Sequence, residues 1–340
     1  MRYPKFLKDY GTIGFAAPAF GCNIEPYKSG FKAALDNFSN RGYKCIVGEN
    51  AYKGDGIGIS STPQSCAKEL SSMYLDDKCD VIISCGGGEL MCEVVNYIDF
   101  QQINNAKPKF FMGYSDNTNF TFLLTTLCDV ASIYGPCAAT FGMSKWHDSI
   151  DDAYKLISGR KSKISGYDKW EMTSLKSEDN PTAPYNLTET KKLIYNTDDK
   201  KASFSGRLIG GCLDCLTNLT GTKFDKVREF NAKYKEDGII WFLESCDLNV
   251  MSIRRSLWNL DNCGWFENVK GFIIGRPMHF DEPMFGLDQY RAVTGILDKY
   301  NVPIIMDSDI GHLPPAMPLI CGSYAYVDAN FNDISIDMSF

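Results

Sequence analysis

The sequence predicts an α/β protein whose first half is a doubly wound, mostly parallel sheet. Three observations carry that reading. Short apolar strands alternate with amphipathic helices through the first 150 residues, glycine-rich or polar turns close the strands at their carboxyl ends, and the composition is that of a chain able to bury a core. Of 340 residues, 44% are hydrophobic and 23% charged, within the ordinary globular range.

The elements follow in order. Thr12 to Ala17 reads as a strand ending in Ala17-Pro18-Ala19, and Lys28 to Asn40 has helical spacing through Phe31, Ala34, Leu35 and Phe38. Tyr43 to Val47 is a second strand. Thr62-Pro63 opens a helix through Ala67, Leu70 and Met73. The strand Asp80 to Ser84 runs straight into Cys85-Gly86-Gly87-Gly88-Glu89, and a helix follows through Met91 and Val95. The strand Phe110 to Met112 stops at Gly113, with Ser115 on the turn and a helical segment from Thr118.

From about Gly159 to Ser203 the composition turns polar, and the stretch reads as a long inter-domain excursion, partly mobile. Its one large aromatic anomaly is Trp170, which either folds onto the body or stands out as a stacking platform. Beyond Gly206 strands and helices resume. A strand ends at Glu244, another at Gly275-Arg276-Pro277, and Val302 to Met306 leads to Asp309-Ile310-Gly311-His312. The expected division is 1–158, a linker at 159–205, and 206–340.

The composition also excludes. A formal charge of −7 leaves no basic footprint for nucleic acid. The most apolar long window, Phe120 to Phe141, holds Asp129, Gly135 and Pro136, so a membrane span is not expected. The amino-terminal residues lack the charged-then-apolar run of a signal peptide. Thirteen cysteines without a framework suit a reducing cytoplasm. Cys212-x-x-Cys215 has no second pair, and three histidines make no metal centre, so neither metal nor cofactor is expected.

Three groups fall at strand ends: Ser115, Glu244 and His312. A serine attacks only when a base takes its proton, and the base needs a carboxylate to fix its tautomer. Plainer readings stand beside this one. Ser115, Asp116 and Asn117 all suit a helix cap, Glu244 could cap the helix after it, and His312 could be a turn residue. His147 and His279 are rival bases. The order Ser, Glu, His is that of α/β-hydrolases, but Asn117 replaces the second glycine of their G-x-S-x-G elbow. The Gly86-Gly87-Gly88 turn lacks the spacing of a nucleotide loop; for a serine hydrolase, a backbone N–H from it and that of Asp116 make an oxyanion hole.

Together, Gly113-Tyr114-Ser115-Asp116, Ile82-Ile83-Ser84-Cys85-Gly86-Gly87, Trp241-Phe242-Leu243-Glu244 and Asp309-Ile310-Gly311-His312 with Pro318 downstream resemble the S66 serine peptidases. That family holds the LD-carboxypeptidases of murein recycling and the microcin C self-immunity peptidases. The resemblance implies Ser115 as nucleophile, His312 as general base, Glu244 as its orienting acid, and the N–H groups of Gly87 and Asp116 as the oxyanion hole. It implies a smaller, β-barrel-like α/β second domain that carries Glu and His, and a homodimer. Cys85 stands where the LD-carboxypeptidase branch has arginine, and the inter-domain stretch is long. Both look more like the microcin immunity branch, in which Trp170 would stack on the nucleotide of a peptidyl-adenylate, with Gly86 and Gly88 beside the substrate. The expected activity is hydrolysis of an amide near a free carboxylate in a small peptide or peptidyl-nucleotide. A murein LD-carboxypeptidase and a non-catalytic small-ligand-binding protein are the alternatives.

Overall fold

The computed structural model describes residues 1–340. Its first sheet has six strands in the order Leu319–Cys321, Ser132–Tyr134, Phe110–Gly113, Val81–Ser84, Thr12–Ala16, Lys44–Val47. All neighbours are parallel except the edge strand Leu319–Cys321, which pairs antiparallel with Ser132–Tyr134. The central strands are buried on both faces, as helix-covered parallel strands must be, which explains their unbroken Val-Ile-Ile and Phe-Phe-Met runs. The winding direction reverses between Thr12–Ala16 and Val81–Ser84, so a crevice opens at their carboxyl ends.

The second sheet has eight strands in the order Lys163–Ser165, Asp333–Ser339, Tyr324–Asn330, Lys201–Cys212, Ile239–Glu244, Val269–Gly275, Ile304–Ser308, Ile194–Tyr195. Four of these, from Lys201–Cys212 to Ile304–Ser308, run parallel. The sheet is open, with Lys163–Ser165 and Ile194–Tyr195 as its edges, so the barrel-like second domain is corrected to a mixed open sheet. Those edge strands come from the polar stretch 159–205. It is therefore no free linker: its short strands are stitched onto the second sheet, and Lys169–Trp170 pairs with Glu189–Thr190. Polar composition misled because such two- and three-residue edge strands need few apolar side chains.

Two apolar clusters fill the interior, and each draws on both sheets: Phe15 with Phe242 in one, Phe111 with Trp241 in the other. The chain also crosses between the sheets after residue 312, when Leu319–Cys321 joins the first. This shared core fixes the two sets of strand ends against each other. No helix is long and apolar enough to cross a membrane.

Candidate active site

Ser115 lies two residues beyond the strand Phe110–Gly113, with a backbone φ of 60°. That left-handed conformation is unfavourable for a residue with a Cβ, and it turns the chain sharply from strand into the helical segment Thr118–Thr126. The two polar residues after the serine hold the turn. Asn117 donates through Nδ2 to the carbonyls of Tyr114 (3.1 Å) and Gly86 (2.8 Å). Asp116 is buried; its carboxylate accepts the Met91 N–H at 2.8 Å and Asn119 Nδ2 at 2.9 Å. Burial pushes the Asp116 carboxyl up to about 7, against the lowering effect of those hydrogen bonds.

The Gly86–Gly88 turn lies against this corner. A Cβ on Gly87 would sit 3.3 Å from both Cβ and Oγ of Ser115, so any other residue there would crowd the hydroxyl. The Gly86 carbonyl accepts from Asn117 and from Ser84 Oγ (3.0 Å). A trans peptide directs its N–H opposite to its C=O, so these two bonds also aim the Gly87 N–H, which has no acceptor inside the protein. Gly88 backs onto Ala19 and Asp116, where a Cβ would meet atoms at 2.9 and 3.0 Å. Cys85 is fully buried and offers no counterpart to an arginine.

Glu244 ends the strand Ile239–Glu244, and His312 lies four residues beyond the strand Ile304–Ser308. His312 Nε2 is 2.9 Å from Ser115 Oγ, and its Nδ1 is 2.8 Å from Glu244 Oε2. Nδ1 facing a carboxylate carries the ring proton, which leaves Nε2 of the neutral ring free to accept from the serine. Gly311, at φ 110°, lets the chain pass over Glu244; a Cβ there would lie 2.7 Å from Oε2.

Glu244 is wholly buried, and its other oxygen accepts the Tyr134 hydroxyl at 2.5 Å. Burial penalises its charge, but the His312 charge and hydrogen bonds from His312, Tyr134 and Cys212 hold it below the usual carboxylate value. Burial likewise opposes a charged His312. The Glu244 charge, with hydrogen bonds to Cys246 and Glu244, outweighs that and sets its pKa well above 6.5.

The structure therefore brings Ser115, Glu244 and His312 together beside Gly87 and Asp116. The rival histidines are occupied elsewhere. His147 caps the helix Asp148–Ile157 by accepting the Ser149 N–H, and His279 pairs with Glu282 at the surface. Trp170 corrects an expectation: it is 4% exposed, edge-on to Phe280, with the Arg276 guanidinium 5.0 Å from its ring centre. It is not held out to stack on a ligand. Arg276 also binds Asp309 at 2.5 Å, and the Glu171 N–H donates to Pro314 O, so this corner braces both flanks of His312.

The sequence reading missed Tyr134 and the clamp made by Asn117. Tyr134 joins the two halves, since its hydroxyl reaches Glu244 and also accepts the Ser115 N–H at 3.3 Å. Its signal was its place at a strand end before Gly135-Pro136; in the sheet it pairs with Gly113, two residues before Ser115. An open cavity of about 240 Å³ lies beside His312, walled by Tyr27, Tyr114, Tyr185, Pro314 and Met317.

Comparison with known proteins adds an independent line. Residues 13–135 match the LD-carboxypeptidase N-terminal domain and residues 205–327 the LD-carboxypeptidase C-terminal domain. The microcin C7 self-immunity protein MccF of Escherichia coli is 26% identical over 335 residues, spanning 96% of this chain and 92% of that protein. A probable murein peptide carboxypeptidase of Bacillus subtilis is 24% identical over 330 residues, spanning 95% and 90%. Among solved structures, an MccF-like protein from Bacillus anthracis superposes with a TM-score of 0.82 at 21% identity over the whole of both chains. MccF in complex with aspartyl sulfamoyl adenosine does so at 0.81 and 22%, over 100% of this chain and 99% of that one.

Proposed function

The chain belongs to the S66 family of LD-carboxypeptidases, a family of serine peptidases, and on that premise we propose that it cleaves an amide near a free carboxylate in a small peptide or peptidyl-nucleotide conjugate through a Ser115-His312-Glu244 triad. The observation that carries this reading is the pair of contacts on one imidazole, 2.9 Å to Ser115 Oγ and 2.8 Å to Glu244.

Ser115 Oγ attacks the scissile carbonyl carbon as His312 Nε2 takes its proton. The carbonyl oxygen becomes an oxyanion, stabilised by the N–H groups of Gly87 and Asp116; one such donor is worth roughly 3 kcal/mol of barrier. Collapse breaks the C–N bond, and His312 returns the proton to the leaving amine. Water, activated by the same imidazole, then releases the acyl group. Glu244 holds the ring and stabilises its charged form.

A peptidyl-nucleotide is the favoured substrate. In support, MccF has been solved in complex with aspartyl sulfamoyl adenosine, and an aromatic-walled cavity adjoins His312 here. The murein peptide reading rests on the Bacillus subtilis relative. Turnover of a peptidyl-sulfamoyl-adenosine against a murein tetrapeptide separates them: preference for the tetrapeptide overturns the first reading, and cleavage of neither by wild type counts against hydrolysis of this kind. The proposed assembly is a cytoplasmic homodimer, on the family resemblance alone, and sedimentation velocity tests the dimer.

A further inference from the structure

The cavity beside His312 holds a lysine that no carboxylate pairs with directly. Its walls include Gly311 and His312 but none of the residues Gly86 to Gly88. Lys176, from the polar stretch between the two halves, is part of the wall and only partly exposed, yet its Nζ makes neither an ion pair nor a hydrogen bond within the protein. The one carboxylate in the wall, Glu171, is buried at 5% exposure and engaged by the Asn186 backbone N–H. Burial lowers the Lys176 pKa and the Glu171 charge only partly offsets it, as expected for an ammonium drawn out of water without a close counter-charge. A second donor is unspent nearby: the Tyr114 hydroxyl, in the same wall, has no hydrogen-bond partner in the protein, and the Tyr114 ring stands 5.2 Å from that of His312.

A half-desolvated ammonium and an idle phenol lining one cavity fit a small oxyanion, because charge-assisted bonds to it would restore what both groups lost on leaving water. The position tells which half of a substrate carries it. His312 must hand its proton to the leaving nitrogen, so the leaving group lies on the imidazole side, where this cavity is, while the oxyanion donors lie across the serine at Gly87.

We propose that Lys176, with the Tyr114 hydroxyl, forms an anion subsite that binds the carboxylate or phosphate carried by the leaving half of the substrate. The assignment to the leaving half rests on the proposed acyl transfer; the anion site itself does not.

Affinity for leaving-group probes tests this without turnover. Isothermal titration compares D-alanine with D-alaninamide, and adenosine monophosphate with adenosine, on wild type, Lys176→Gln and Lys176→Arg. In at least one pair the charged member should bind wild type at least tenfold more tightly. Lys176→Gln should remove most of that advantage and Lys176→Arg keep it. A response in the alanine pair identifies a carboxylate; one in the nucleotide pair identifies a phosphate. No advantage for the charged member in either pair, or an advantage that survives in Lys176→Gln, overturns the subsite. A protein that binds as expected yet hydrolyses no amide would instead sink the peptidase reading alone.

Discussion

The two sheets furnish the site in opposite ways. At the ends of the six-stranded sheet, the serine corner is assembled locally: Asn117 bonds Tyr114 three residues away and Gly86 thirty-one residues away. At the ends of the eight-stranded sheet, His312 meets Glu244 across 68 residues and Ser115 across 197. The first region is a strained turn held by its own neighbours, and the second is placed only when the whole core has packed. The proposed nucleophile and oxyanion donors should therefore be separable from stability, whereas the residues that brace His312 should not.

The largest effect comes from the local region. Ser115→Ala should cut kcat by at least about 10⁴-fold with an unchanged melting temperature. Ser115→Gly should be equally inactive yet more stable by about 1 kcal/mol, because glycine accepts φ 60° without strain. Thermal unfolding alongside steady-state kinetics checks both, and a destabilised Ser115→Gly would contradict the strained turn.

Across the cleft, Glu244→Gln should lose roughly 10³- to 10⁴-fold in kcat/KM. It also carries a sign. In wild type the Glu244 charge raises the His312 pKa, so activity should rise with pH through an inflection above 6.5 as the ring loses its proton. Without that charge, burial dominates and the inflection should move down. A pH profile unmoved by the substitution would remove Glu244 as the partner of the base.

Asn117→Ala should lower kcat about 10- to 100-fold with little change in KM, since it frees the peptide that aims the Gly87 N–H. Equal losses in both parameters would make Asn117 a binding residue instead. Trp170→Ala tests the bracing corner: it should cost about 3–5 kcal/mol of stability, as for a buried tryptophan. A raised KM with unchanged unfolding would return it to the ligand.

The last effect is on stability alone and concerns Asp116. Its folded pKa is about 7 against an ordinary value of 3.8, so between those values the folded protein holds a proton that the unfolded chain has released. Stability should then fall as pH rises from about 4 to 7 and level off above. The difference between wild type and Asp116→Asn, measured by denaturant unfolding across that range, should show this slope; a flat difference would contradict it.

The same contrast explains what could be read in advance. The parallel sheet was legible because βα units are local, and Ser115 and Gly87 could be nominated because each lies within three residues of its own strand's end. Glu244 and His312 could be nominated as strand ends, but nothing in the order of residues states that two ends 68 positions apart will share a proton. His147 illustrates the converse: a histidine next to Asp148 and Ser149 has a local use, and the structure gives it that use as a helix cap. The polar neighbours of Trp170 leave its two placements, on the body or held out, undecided in the sequence, and make the stretch 159–205 look like a partly mobile excursion. The burial of both depends on Arg276, Phe280 and the edges of a sheet whose strands lie far along the chain.

The central claim is that the two regions act as one device, in which Ser115 is useless without His312 and the converse. A double-mutant comparison tests it most directly: kcat/KM for a peptidyl-sulfamoyl-adenosine with Ser115→Ala, His312→Ala and the pair combined. The account predicts that the double variant is no worse than either single one, because each loss already removes the whole device. Losses that multiply would show two independent contributions and contradict it.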